Sequence, residues 1–428
     1  MDLFDRPRAD RMNRFGLAQP PAAWAHPASG LAACAAVAAL MVAGTASAQL
    51  RAPTLPSLGR NLDIELRAVA NYDNNVARGT DFVATTKLLR PDDILYQPSV
   101  RADIVEPFGP AQIFLNGTAG YDFYQYNKNL RHQRADLTGG VSGRLGPCQG
   151  GLTGGYSTHQ SDQADLPLGT TRNVQTSKSY GAQLSCSEGQ SLGEQISYQK
   201  SDSTNDGGRG VVNSNQTGVN GGLSYRNKLV GSISLNGGVT KVKYVSPDPL
   251  APPPPAGYKS TSVGLSWSRP LGRRLNGNAS ISYSKTHSEQ VGASDYATWG
   301  GQGSLLYRVN PRLQASLEYD RSVAPTVQQG FGFSILQAIA LNARYTLTRR
   351  LSTSFGARWY QRDNINPTTA LATDITRDNG DEFSTGLSMS LGKKASVSLN
   401  VSRATRNTNL TVFNYKDYRV GVTAIKTF

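Results

Sequence analysis

From Leu62 onward, apolar and polar residues alternate with period two in segments of roughly ten to fifteen residues, separated by clusters of Gly, Pro, Asn and Asp. In Leu275–Tyr283 one face reads Leu, Gly, Ala, Ile, Tyr and the other Asn, Asn, Ser, Ser. Phe383, Thr385, Leu387, Met389 and Leu391 likewise oppose Ser384, Gly386, Ser388 and Ser390, and Thr261, Val263, Leu265 and Trp267 oppose Ser260, Ser262, Ser266 and Ser268. A soluble sandwich needs bulky residues on its inner face to fill a core about 10 Å thick. A polar set this small needs no such core if the apolar face meets lipid and the Ser/Asn/Gly face lines water, as in a wide barrel.

The segments number about eighteen, with sixteen as the other even count the boundaries allow, and even counts are the rule for bacterial single-chain barrels. They begin near residues 62, 94, 111, 134, 149, 172, 191, 212, 229, 257, 274, 296, 312, 332, 351, 381, 395 and 416. Short connections, such as Glu106-Pro107-Phe108-Gly109-Pro110, Gly146-Pro147 and Asn310-Pro311, alternate with long ones: Asn74–Asp93, Ser201–Val211, the Pro-rich Pro247–Gly257 and Asp363–Gly380. That asymmetry puts tight turns and both chain ends in the periplasm and the long loops outside. Trp299 and Tyr307 share one face of one segment; Tyr283, Tyr319 and Trp359 are expected in the outer aromatic girdle, and Trp267, Tyr345 and Phe428 in the inner one.

The N-terminus carries Arg6, Arg8, Arg11 and Arg14, an apolar run from Leu31 to Ala43, and Ala46-Ser47-Ala48. That is the order of a secretory signal. The run is too short to cross a bilayer core of roughly 30 Å as a helix. Residues 1–48 are therefore read as a cleaved signal peptide, 49–61 as a short periplasmic segment and 62–428 as one antiparallel transmembrane β-barrel, giving an all-β protein of the bacterial outer membrane.

Charge changes the picture little. The chain's net charge is +14, and removing residues 1–48 takes away four Arg and three Asp, leaving +13. Without Lys/Arg clustered on a helix, a secreted chain is not expected to bind nucleic acid; the excess suits anionic lipopolysaccharide or anionic solutes. The expected partners are outer-membrane lipid and lipopolysaccharide, the barrel-assembly machinery and, under the second reading below, polysaccharide.

Chemistry-bearing motifs are sparse. His26, His132, His159 and His287 show no metal-ligand spacing, and there is no P-loop or dinucleotide fingerprint, so neither an enzyme nor a metal or other cofactor is expected. Alternation places Asp63, Glu65, Arg67, Arg101, Asp103, Asp122, Glu194, Glu318, Arg358 and Arg419 inward, where charges of both signs choose which solutes pass. Cys148 begins one strand and Cys186 ends the next at the same periplasmic level, which predicts a disulfide between adjacent strands in a compartment that permits one. The last segment, Tyr418–Phe428, alternates and stops on Phe428, resembling the C-terminal signal by which such barrels reach their assembly machinery; Lys426 departs from its usual apolar pattern.

The strand Leu62–Tyr72 running into Tyr72-Asp73-Asn74-Asn75-Val76 and Arg78 resembles the start of the family Putative beta-barrel porin 2. The resemblance implies an outer-membrane barrel over nearly all of residues 50–428 and carries no catalytic residues. Where the pattern has a second Asp this chain has Asn74, and the Asp/Asn cluster is read as turning the chain out of its first strand. The leading function is a porin-like passive channel for small polar or ionic solutes. The alternative is an accessory barrel for exopolysaccharide export or surface attachment.

Overall fold

The computed structural model describes residues 60–163, 171–188, 191–207, 213–245, 257–289, 295–325, 333–365 and 375–428. The signal-peptide reading, Cys34, His26, nearly all of the segment 49–61 and all but Gly257 of the Pro-rich stretch lie outside them.

Eighteen strands follow in chain order: β1 (Asn61–Asp73), β2 (Asp93–Phe108), β3 (Ala111–Tyr124), β4 (His132–Leu145), β5 (Cys148–Gln160), β6 (Val174–Glu188), β7 (Leu192–Asn205), β8 (Asn213–Asn227) and β9 (Gly231–Val245). The second half comprises β10 (Tyr258–Pro270), β11 (Leu275–Ser288), β12 (Tyr296–Arg308), β13 (Leu313–Pro325), β14 (Phe333–Thr346), β15 (Leu351–Ile365), β16 (Arg377–Ser390), β17 (Ala395–Thr408) and β18 (Tyr415–Thr427). Each pairs antiparallel with its chain neighbours, and β1 pairs with β18 from Glu65↔Thr427 to Asp73↔Arg419, so the sheet closes into a barrel without an edge. Among the described residues there is one short α-helix, α1 (Asp81–Thr86), and two single-turn 3-10 helices, Lys128–Leu130 and Thr411–Phe413, and none there is long and apolar enough to cross a membrane.

Strand starts agree with the periodicity to within two residues except at β16, which begins at Arg377 rather than 381. The stretches Ser201–Asn205, Asp363–Ile365 and Arg377–Gly380, expected in loops, are strand, because their backbones continue the ladders Ser177↔Ser203 and Asp363↔Arg377 above the membrane level. The turns obey local chemistry. Gly109 and Gly146 each open a two-residue Gly-Pro connection at φ +60° and +62°. Glycine accepts the left-handed region, while proline's fixed φ near −65° suits the residue after it.

Outward faces carry an apolar band bounded by aromatics. Trp299 opposes Tyr283 across the ladder with ring centroids 5.1 Å apart, and Trp359 meets Phe383 edge-on at 5.7 Å. Tyr319, Tyr345, Tyr307 and Phe428 also face outward, as the girdles require.

The extracellular rim departs from a simple cylinder. Pairing between β12 and β13 stops at Gly301↔Arg321, whereas β13 and β14 stay paired up to Pro325↔Phe333. Phe333 and Ile335 have the same parity as the outward Ile339 and Leu341, yet they are buried against Val242, Tyr244, Tyr258 and Tyr296, which face inward on β9, β10 and β12. The Phe333 ring lies 5.8 Å from that of Tyr258 and 5.5 Å from that of Tyr296. The tops of β13–β15 therefore step inside the tops of β9–β12, and the wall overlaps itself at the mouth, sealed by an apolar cluster.

Candidate pore and mouth

Strand parity divides the inner wall into two sectors. On β5–β12 the inward positions below the mouth are almost wholly Ser, Thr, Asn, Gln and Gly. No carboxylate occurs there; Arg226 and Arg308 sit at the periplasmic ends, and His159 near the mouth. Hydroxyls and amides bond across the ladders instead: Ser177 Oγ lies 2.6 Å from Ser203 Oγ, Gln195 Nε2 donates to Asn236 Oδ1 at 2.9 Å, and Asn278 Nδ2 donates to Ser304 Oγ at 2.7 Å. These groups are mutually satisfied, which is what keeps a polar wall cheap where it leaves bulk water.

The other sector, β13–β18 with β1–β4, is charged. Glu65 faces Arg101 and Asp63 faces Asp103 across β1 and β2, with Arg67 on the same face. Arg358 Nη1 lies 3.6 Å from Glu382 Oε2 and its guanidinium 5.4 Å from the Tyr360 ring centre. Glu318 and Asp320 face inward from β13, Asp320 accepting from Gln302 Nε2 and Ser322 Oγ, each at 2.8 Å.

The expected pore residues Arg67, Arg101, Asp103, Glu318, Arg358 and Arg419 thus lie on the inner face. Two expectations need correction. Asp122 faces inward but is buried, accepting from Gln97 Nε2 at 3.0 Å with His132 Nε2 3.5 Å away. His132 in turn accepts from the Gln160 N–H. Asp122 therefore holds wall to wall rather than lining a path. Glu194 points outward: it shares the face of Leu192, Ile196 and Tyr198 and pairs with Cys186 at the periplasmic end. Cys148 and Cys186 also face outward, directly opposite each other, with sulfurs 2.10 Å apart.

At the mouth the segment 74–92 folds inward and is tied down on several sides. Thr80 N donates to Val412 O at 3.2 Å, the buried Lys87 Nζ donates to Gln163 O, and Thr171 Oγ1 donates to Lys87 O at 2.7 Å. Val83 of α1 packs on Ile375 and Phe413, while Val76, Ala77, Ala84 and Leu89 pack on Leu130. The segment thereby bridges the β17–β18 connection and the β5–β6 connection across part of the opening.

The cluster Tyr72–Val76 and Arg78 is the hinge of this segment. Asp73 Oδ1 accepts the Asn75 N–H at 2.8 Å, an Asx turn, and Asn74 Oδ1 accepts the Tyr418 N–H at 2.7 Å. Arg78, held at φ +53°, sends its guanidinium to Asp73 Oδ2 at 2.7 Å and Asp417 Oδ2 at 3.0 Å, and Arg419 Nε completes the group 2.6 Å from Asp417. Burial alone would ease the proton off Arg78, but the charges of Asp73 and Asp417 outweigh it and hold the guanidinium's pKa well above its ordinary value. Arg419, expected in the pore, belongs to this hinge. A second buried group joins β15, β16 and β17: Asp378 Oδ2 accepts from Arg362 Nη2 at 2.8 Å and Arg406 Nη2 at 2.7 Å. Sequence reading missed both groups. Parity could have placed Asp378, Arg406 and Asp417 inward, but nothing local signals that Arg78 meets Asp417.

The chain aligns with Pseudomonas aeruginosa OccK2 (OpdF) at 12% identity over 86% of this chain and 98% of that one, TM-score 0.49. A BenF-like porin from Pseudomonas fluorescens Pf-5 aligns at 11% identity over 86% and 99%, TM-score 0.49. Among curated proteins none matches the chain significantly. Residues 256–427, which contain β10–β18, match the family model described as Putative beta-barrel porin 2; the motif Tyr72–Val76 lies outside the matched segment. By its closed eighteen-stranded wall with an apolar outer band, and by this match over its second half, the chain is a bacterial outer-membrane β-barrel that is similar over residues 256–427 to the family Putative beta-barrel porin 2.

Proposed function

We propose that the barrel is a porin-like passive channel for small polar or ionic solutes. What carries this reading is the inner wall itself: inward groups of both signs on β13–β18 and β1–β4 face a sector that offers hydroxyls and amides but no carboxylate. Charges of both signs across a lumen set up a transverse field that orients dipolar solutes and discriminates between ions. The neutral sector opposite gives the uncharged side of such a solute hydrogen-bond partners at little desolvation cost. The inward segment 74–92 narrows the mouth through which solutes enter. No observation favours the accessory role in exopolysaccharide export or surface attachment.

Conductance of the purified, refolded chain in a planar bilayer tests this, after heat-modifiable gel mobility has established folding. Stable ohmic steps are expected. A folded barrel that never conducts would remove the channel reading. The same material bears on two further proposals: loss of residues 1–48 on secretion, read from the N-terminus of protein recovered from outer membranes, and oxidation of Cys148 with Cys186 in the periplasm, read from its free-thiol content.

A further inference from the structure

The neutral inner sector has a charged exterior. Lys178 on β6, Lys200 on β7, Lys241 on β9, Lys259 on β10 and Lys285 on β11 all have outward parity, and the ladder rungs Tyr180↔Lys200, Thr217↔Lys241, Lys241↔Lys259 and Thr261↔Lys285 bring them into one row along the rim. Four lie one outward position above the apolar band, with Tyr180 below Lys178, Tyr198 below Lys200, Val239 below Lys241 and Tyr283 below Lys285, while Thr261 stands between Lys259 and Val263. Lys243 stands above Lys241 on β9. This is the height at which lipid head groups begin.

Neighbouring strands are about 4.8 Å apart, and like charges directly opposite, as Lys241 and Lys259 are, destabilise a sheet. Partial compensation is present: Lys200 reaches Asp202 at 3.2 Å, Lys241 reaches Glu289 at 2.6 Å, and Lys285 and His287 share Asp295 at 2.8 and 2.6 Å. Lys178 faces Asp202 across the ladder and Lys243 acts on Glu289, so three carboxylates are shared among six lysines, and Lys259 faces only Lys241 and His287. At the corresponding level elsewhere on the rim stand Ala297, Gln337, Gln361 and Asp381, with Arg321, Arg403 and Lys416 scattered between. Six ammonium groups against three carboxylates leave an excess of cations at the interface, and Lys is a point-charge binder of phosphate.

We propose that the outward extracellular rim of β6–β11 is a binding site for the phosphates of an outer-leaflet glycolipid, with Lys178, Lys241, Lys259 and Lys285 as its principal cations. The site rests on the outer-membrane placement and is independent of whether the lumen conducts. The test adds bisphosphorylated lipid A to the detergent-solubilised full chain and counts bound molecules by native mass spectrometry. The variant Lys178→Gln/Lys241→Gln/Lys259→Gln/Lys285→Gln is expected to bind about tenfold more weakly. Arg321→Gln/Arg403→Gln/Lys416→Gln is expected to bind like the parent chain. If the fourfold variant does not show heat-modifiable mobility, Lys178→Gln/Lys259→Gln, which removes two of the four cations, is expected to give an intermediate loss. Monophosphorylated lipid A on the unaltered chain should bind more weakly than the bisphosphorylated form. Equal losses in the two multiple variants, or indifference to both the lysines and the number of phosphates, would overturn the site.

Discussion

The two halves of this barrel keep their charges on opposite sides of the same wall. Strands β13–β18 and β1–β4 turn Arg, Asp and Glu inward, where they form pairs such as Arg358–Glu382 and buried groups around Asp378 and Asp417. Strands β6–β11 turn Ser, Asn and Gln inward and Lys outward at the extracellular rim. Both satisfy the same alternation, because period two fixes only which residues share a face. The contrast teaches that charge in the lumen is tied to anchoring the mouth. Segment 74–92 is pinned through Arg78 in the charged sector, and the wall overlaps itself where the two sectors meet at β12 and β13, around an apolar cluster.

The largest expected effect breaks the charged sector. Asp378→Ala removes the carboxylate that the buried guanidinium of Arg406 shares with Arg362 and should cost about 3–5 kcal/mol. Ser280→Ala in the neutral sector should cost well under about 1 kcal/mol. Denaturant unfolding followed by heat-modifiable mobility compares them, and equal effects would erase the distinction. Next comes the Cys148–Cys186 link, which closes a sequence separation of 38 residues within the neutral sector. Replacing both cysteines by Ser should lower stability by about 2–4 kcal/mol in the same assay, and reductant should shift the parent chain but not the double variant.

Selectivity sharpens the comparison further. Arg101→Ser with Arg358→Ser should move reversal potentials toward cations by a few-fold in permeability ratio, whereas Ser234→Ala with Ser266→Ala should leave them in place. Unchanged potentials in the arginine variant would mean that these groups serve the wall rather than the solute. Smallest of all, Glu194→Gln should alter neither selectivity nor conductance, since Glu194 lies on the outer face. A measurable shift in selectivity would put it back in the lumen.

Much of this was legible in the chain. Strand number, turn positions and girdle aromatics follow from patterns that repeat within ten or so residues, and strand starts agree with the structure to within two residues except at β16. Glu194 was legible as well: Leu192, Glu194, Ile196 and Tyr198 alternate with Gly193, Gln195 and Ser197, and parity alone places the carboxylate outside. The inward placement expected for Glu194 runs against that alternation, and a carboxylate at the end of a strand reaches interfacial water without turning inward. The late start assigned to β16 has a different cause. Asp378, Gly380 and Asp381 read as turn residues, and Arg362 and Arg406 make Asp378 a strand residue by holding it from both sides.

What the sequence by itself determined is therefore the wall: its period, its strand count, its polarity and the side on which its turns are short. Those features are encoded between near neighbours, where backbone geometry leaves few choices. The tertiary structure alone decided how the wall closes and what its mouth does. The β1–β18 register, the meeting of Arg78 with Asp417 and the seating of Phe333 on Tyr258 join groups far apart in the chain. No local pattern specifies such contacts, because they are selected only when the closed barrel leaves a buried charge or an apolar ring a single partner within reach.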